Sequence, residues 1–418
     1  MFARMFPLPA GELFFEGSLS EKRLRERAIT ILTAMTERPG VAMTAAFDNP
    51  RESRNASNFF PNDRMSLAAL LDTATRALSL KLRELPDGAT VLSVQDTTEI
   101  NLSTQTTMEG LGTLGNVKNH GLLLHTALAV DTDGCPLGLL HAHTWARPPK
   151  ERGKATTRRQ RPFDDKESAR WWDTIVACEE AVGRPGLVLH LSDRASDLFT
   201  LFSRAHAVSY RLLVRAGQDR RVEGEHGSLW AHVASFADTS SQRTIDVAAR
   251  PASKTKPART ARQAVVAVAF GPVVLRAPHG GQGAIPLWAI RGREVAPPPG
   301  EERIEWVLLT SDPIGTEDDA WLRVEWYGDR WVIEIDHPWC TPCDMTFISD
   351  RQPETLRRIV PTKAASFNSE CTCVERIRDG IDRNVRGSDY APDVRPPTHR
   401  PRRVVRRLRS RSSSAALA

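Results

Sequence analysis

Three acidic residues stand where shared chemistry could arise. Asp96 closes the apolar run ATVLSVQD, Asp193 closes GLVLHLSD, and Glu334 sits in WLRVEWYGDRWVIEI, residues 321–335. Carboxylates brought together from two strands and one helix make an oxygen-rich donor set suited to hard divalent cations such as Mg2+ or Mn2+. Two such ions about 4 Å apart activate a water or a 3′-hydroxyl and stabilise the leaving oxygen of an in-line phosphodiester displacement. A single Asp after a strand also serves as a turn residue or helix cap, so it is the pair with Glu334 that carries weight.

Glu334 has company. Read as a helix, residues 321–335 line up Tyr327, Arg330, Trp331 and Glu334 at offsets of three and four, so a phenol, a guanidinium, an indole and a carboxylate share one stripe. Thr316 fits as the N-cap, with Glu317, Asp318 and Asp319 in the first turn where the helix dipole favours negative charge. The plainer reading is an amphipathic surface helix with a Trp-rich core face.

The elements that must hold these groups follow from periodicity. Residues 18–86 read as a small basic helical domain: an apolar stripe through Leu24, Ala28, Ile29, Ile31 and Leu32, then a second helix opened by Ser66, with a polar basic linker between them. Such a module binds DNA or simply caps the next domain. Residues 87–219 alternate strand, hairpin, helix, strand, helix and strand, which describes a mixed sheet with helices against it. In that stretch Asp131 to Gly134 supplies turn chemistry, and a helix with Trp172, Ile175, Val176 and Val182 inward ends at Gly183. In open α/β sheets, functional groups gather at the C-terminal ends of strands, where Asp96 and Asp193 are expected. Residues 220–305 read as an all-β insertion, a meander separated by Pro, Gly and basic linkers. Residues 306–337 return to the core with its final helix.

Composition narrows the classes. The 418 residues hold 57 Lys plus Arg against 51 Asp plus Glu, a net +6 that suits a polyanionic partner. Much of the excess is local, because residues 395–411 contain no acid. No apolar run approaches a membrane span, and the extension at residues 1–17 has neither a sustained apolar core nor a small-residue cleavage site. Six cysteines in so long a chain do not make a disulfide framework, which points to the reducing cytoplasm.

Several motifs recur in a familiar order: Q-D-T-T at 95–98, G-L-G-x-L-G at 110–115, L-S-D-R-x-x-D at 191–197, L-V-R-A at 213–216, E-W-V-L-L-T at 305–310, and Tyr327-x-x-Arg330-x-x-x-Glu334. With these the chain resembles bacterial cut-and-paste DDE transposases of the insertion-sequence class carrying a Tyr-Arg-Glu-Lys signature, over most of residues 18–335. The resemblance implies a ribonuclease H-like α/β fold, with a helical DNA-binding domain in front, a β-rich insertion and a helical dimerisation region behind. It implies a two-metal Mg2+ or Mn2+ site on Asp96, Asp193 and Glu334. By the same resemblance Tyr327 and Arg330 contact phosphates at the transposon end, Trp306 stacks on a flipped base, and Arg215 is a further DNA contact. The expected partners are double-stranded DNA, both transposon end and target, and a second copy of the chain.

The sequence also departs from that pattern. The signature Lys belongs seven residues after Glu334, where Thr341 stands, and Pro338 would break a helix continuing past Glu334. Beyond Ile335 the resemblance ends, and residues 338–418 become a divergent basic tail rich in Pro, Arg and Ser, expected to be poorly ordered. A frameshift in the gene would produce such an abrupt change. A catalytically inactive remnant that only binds DNA is therefore the competing reading. A third is a zinc module on Cys340, Cys343, Cys371, Cys373 and His337, although CxC is an irregular second half for zinc.

Overall fold

Ten strands pair into one sheet. The computed structural model describes residues 21–38, 41–104, 108–115, 118–147, 161–247, 249–252, 258–278, 281 and 283–333, all within one unit of the chain. Glu334, His337, Pro338, Thr341 and the four tail cysteines lie outside the described residues, as do the basic segments 148–160 and 395–411. The strands are β1 (Val91–Asn101), β2 (Gly112–Thr113), β3 (His120–Val130), β4 (Pro136–Trp145), β5 (Val188–Ser192), β6 (Arg211–Arg215), β7 (Gln242–Val247), β8 (Arg262–Arg276), β9 (Ala284–Glu294) and β10 (Glu305–Thr310). Their order is β2-β3-β1-β5-β6-β10-β9-β8-β7, with β4 also on β3. Only β1 with β5 and β5 with β6 run parallel; the other pairings are antiparallel.

Among the described residues seven α-helices flank this sheet: α1 (Lys22–Glu37), α2 (Pro50–Ser57), α3 (Leu67–Arg83), α4 (Arg170–Val182), α5 (Phe199–Val208), α6 (Leu229–Ala234) and α7 (Glu317–Asp329). One face packs beneath α7, through Trp321, Val324 and Tyr327 on Leu92, Leu191, Leu213 and Leu308. The other face carries α3 to α6. Leu78 and Leu82 of α3 meet Ala127, Ala129 and Leu140, while Phe202 of α5 and Leu229 of α6 meet Val214, Leu275 and Leu309. Each fully buried Leu or Phe in these layers contributes roughly 1.5–3 kcal/mol. Leu24, Ala28 and Ile31 of α1 instead join Ala56 and Phe59 in a small core of their own. No helix among the described residues is long and apolar enough to cross a membrane.

The mixed α/β architecture and its elements follow the sequence closely, with instructive exceptions. Ser66 caps α3 through Ala69 N–H at 3.1 Å, and Gly183 ends α4 in the left-handed conformation at φ 61°. The linker expected between the first two helices folds into α2, because the Asn49 side chain accepts from Arg51 N–H and Pro50 starts the helix with its φ already set. In α4 the buried indole is Trp171, with Trp172 only half-buried, so the inward stripe is rotated from the expected one. The segment read as all-β contains α6, capped by Ser228 and buried through Leu229 and Val233. Its strands β7, β8 and β9 extend the core sheet through β10.

Candidate functional site

Parallel pairing sets the site's geometry. Val94 of β1 pairs with Leu191 of β5, so two residues further along Asp96 stands level with Asp193. Ser192 pairs with Val214 of β6, so one residue further Arg215 joins the same row. Asp193 keeps extended backbone (φ −81°, ψ −169°), which preserves the alternation of faces. By that alternation Asp96, Asp193 and Arg215 follow Val94, Leu191 and Leu213 onto the face packed by α7. Asp96 itself corrects the sequence reading: it lies midway along an eleven-residue strand rather than at its end. The strand continues because β3 pairs with it as far as Asn101, whereas its pairing with β5 stops at Val94.

Above this row lies the end of α7. Thr316 caps the helix as expected: its hydroxyl accepts from Asp319 N–H at 3.1 Å, and Asp319 accepts in return from Thr316 N–H at 2.9 Å. The expected helix is interrupted after Asp329 and is helical again at Val332 and Ile333, the last described residues. α7 ends at Asp329, and Arg330, Trp331 and Ile333 donate instead to carbonyls three residues back, the tighter turn common at helix ends. Ser241 and the strand β7 that follows it fix the helix in place. Trp321 Nε1 donates to Ser241 Oγ at 2.7 Å, Ser241 N–H donates to Glu317 at 2.5 Å, and Arg243 pairs with Glu325. The long meander thus positions α7 over the acidic pair, a role that sequence alone did not disclose.

The helix end points its charge at Asp96. Arg330 is buried at 4% exposure, and its Nη1 lies 3.7 Å from Asp96 Oδ2. Tyr327, 3% exposed, packs beside it. Asp96 Oδ1 accepts from Thr97 N–H at 2.7 Å, and Asp193 Oδ1 accepts from Ala195 N–H at 2.8 Å. Burial pushes the Asp96 carboxyl up to about 6; Arg330 pulls it down, Asp193 pushes it further up, and the Thr97 N–H opposes. Burial also lowers the Arg215 guanidinium, offset by Tyr327 and Asp193, with Arg194 and Arg330 adding to the lowering. The Tyr327 phenol is raised by burial against the pull of Arg330 and Arg215.

Trp306 lies on the same face of β10, 7% exposed and within the α7-side core. A Cβ at Gly292 on the neighbouring strand would overlap its indole, so the glycine makes room for the ring. The ring also borders a cavity of about 350 Å³ lined by Arg194, Arg215, Gly217, Trp230 and Glu305. One neighbour of these residues had no assigned role in the sequence. Asp197, wholly buried, accepts from Gly217 N–H (2.8 Å), Gln218 N–H (3.1 Å) and Arg220 Nε (2.7 Å), which ties the turn after Asp193 to the loop after Arg215.

Two level carboxylates are hard oxygen donors of the kind that hold Mg2+ or Mn2+. The upward push on Asp96 comes chiefly from burial, with Arg330 opposing it and Asp193 adding to it. Among the described residues no third His, Cys, Asp or Glu joins them, and Glu334 falls outside those residues. Asp96, Asp193, Arg215, Tyr327 and Arg330 are thus gathered at one place, with Trp306 on the same face. Compared with known protein families, the chain matches no family model.

Proposed function

We propose that the chain is a DDE transposase with a ribonuclease H-like core, which cleaves and joins DNA strands at transposon ends with divalent metal. The observation that carries this reading is the level placement of Asp96 and Asp193 at the parallel centre of a mixed sheet, faced by Tyr327 and Arg330 from α7. Strand order supports it, since an antiparallel β1-β3-β4 meander passes into parallel β5 and β6. Asp96 and Asp193 would hold Mg2+ or Mn2+, with Glu334 as the third carboxylate by resemblance. The metal supplies Lewis acidity and an activated oxygen nucleophile. Around it, Arg215 and Arg330 offer guanidinium charge to the phosphodiester, and Asp197 holds the loop beside Arg215 in place.

The reading of an inactive DNA-binding remnant draws on Pro338 and Thr341, which stand where the family's helix and Lys belong. One experiment separates the two. The full chain is incubated with a transposon-end duplex, with and without Mg2+, and both binding and nicking are measured. Metal-dependent nicking by wild type and its loss in Asp193→Ala support the transposase. Binding without nicking by wild type supports the remnant, and failure to bind the duplex contradicts both.

A further inference from the structure

We propose that Gln95 is a positioning residue for the acidic pair: its amide, held by His190 and through it by Glu179, keeps β1 and β5 level past the end of their shared ladder and so sets the separation of Asp96 from Asp193. This rests on reading Asp96 and Asp193 as metal ligands.

Where the main-chain pairing stops is the first argument. β1 and β5 pair as far as Val94 and Leu191, one residue short of Gln95 and two short of Asp96. Toward β3, by contrast, Asp96 is secured by a ladder that runs on to Asn101, and across it Thr97 Oγ1 lies 2.7 Å from His125 Nδ1. The side of Asp96 that faces Asp193 is therefore the one the ladder leaves open. Gln95 fills that place. Its Nε2 donates to Nδ1 of His190, a residue of β5, at 3.3 Å. With Nδ1 accepting, His190 carries its proton on Nε2 and donates to Glu179 Oε1 of α4 at 3.1 Å. The bonds run in a single direction, from β1 through β5 to the helix.

Burial is the second argument. Gln95, His190 and Glu179 are 1%, 1% and 6% exposed, and Gln95 sits opposite Ala127 on the sheet face away from Asp96. Apolar side chains such as Ala127, Val182 and Val188 make up the core there. Taking an amide, an imidazole and a carboxylate out of water is costly, and their mutual bonds return little net stability. Gln95 Oε1 adds to that cost, because it has no hydrogen-bond partner among the described residues. What a buried polar network confers instead is a fixed geometry. Here the geometry is delivered next to Asp96 and three residues before Asp193. Ser93 gives a comparison within the same strand. It is also buried and donates to α4, at Cys178 Sγ 3.9 Å away, but it lies inside the ladder, paired with His190, where the main chain already sets the spacing.

The test is Mn2+ binding to the full chain, followed by the paramagnetic resonance of free Mn2+. It compares wild type, Gln95→Met, Gln95→Asn, Ser93→Ala and Asp193→Asn, each at a temperature where circular dichroism shows it folded. Gln95→Met keeps the length of the side chain and loses the bond, whereas Gln95→Asn keeps the amide and shortens its reach by one methylene. Both Gln95 variants are expected to bind Mn2+ about tenfold more weakly than wild type, and Ser93→Ala to stay within about twofold of it, the scale on which residues that orient metal ligands act. A role in stability alone lowers the melting temperature of the Gln95 variants and leaves the Mn2+ affinity of the folded chains unmoved; that result overturns the proposal and leaves the acidic pair as a metal site. Equal weakening in Ser93→Ala and the Gln95 variants also overturns it, because loss of any buried bond from β1 would then suffice. Wild-type Mn2+ binding that is absent, or that Asp193→Asn fails to weaken, overturns the metal reading, and the proposal with it. Should one Gln95 variant fail to fold, the other decides on the same terms.

Discussion

Asp193 stands level with Asp96, two residues beyond the last pair, Val94 and Leu191, that β1 and β5 share. The two carboxylates are thereby set side by side on one face of the sheet, and Asp193 adds to the upward push on Asp96. Asp96 is held near 6, chiefly by burial. Divalent-ion binding at the pair should accordingly weaken as pH falls through 6, with Mn2+ affinity at pH 5 about tenfold below that at pH 7.5. Affinity that stays flat across this range contradicts the placement of the cation at Asp96.

Asp329 makes a second titration prediction. Its carboxyl packs against Gly134 at the β3–β4 turn and is pushed up to about 8 by burial, then by Asp131, Glu325 and Asp133. A carboxyl raised in the folded state holds its proton there after the unfolded chain has lost it, so stability declines as pH rises from the ordinary Asp range through 8. Asp329→Asn should match wild type in thermal stability at pH 4 and exceed it by several degrees at pH 8.5. Equal melting temperatures at pH 8.5 count against it.

Asp197 and Arg220 form a pair with 0% and 10% side-chain exposure. Removing one partner strands the other as a buried charge, so Asp197→Ala should cost roughly 3–5 kcal/mol in denaturant unfolding. A loss below about 1 kcal/mol, the usual scale of a surface pair, would show that the loop after Arg215 does not depend on this carboxylate.

Gly292 exists to admit Trp306, since a Cβ there would overlap the indole. Gly292→Ala should destabilise the chain by about 1–3 kcal/mol through overpacking. Combined with Trp306→Leu, which relieves the overlap, the two changes should be non-additive. Additive losses in the double variant speak against direct contact.

The sequence disclosed most of these elements and few of their relations. Asp96 and Asp193 were legible because each ends an apolar run, and Thr316 because capping leaves a short-range signature that the fold repeats. What joins them is long-range: the β1–β5 register, the Arg330–Asp96 pair and the grip of β7 on α7 through Ser241 link residues far apart in the chain. Periodicity carries no information about such pairings. Helix α2 is a different case, because the Asn49-Pro50 start was present in the text and was outweighed by the polar character of the segment. The interruption of the helix at Arg330 and Trp331 comes from N–H groups closing on carbonyls three residues back, which helical spacing does not foretell.

Asp96 and Asp193 are proposed to form a metal-dependent site acting on DNA. Release of 3′-hydroxyl ends from a transposon-end duplex measures this directly, with wild type and Asp193→Ala compared at concentrations giving equal duplex binding. The account predicts Mg2+-dependent release by wild type and a rate at least about a thousandfold lower in Asp193→Ala, the scale on which essential groups act. Equal release by both proteins, or none by wild type under conditions where it binds the duplex, contradicts it.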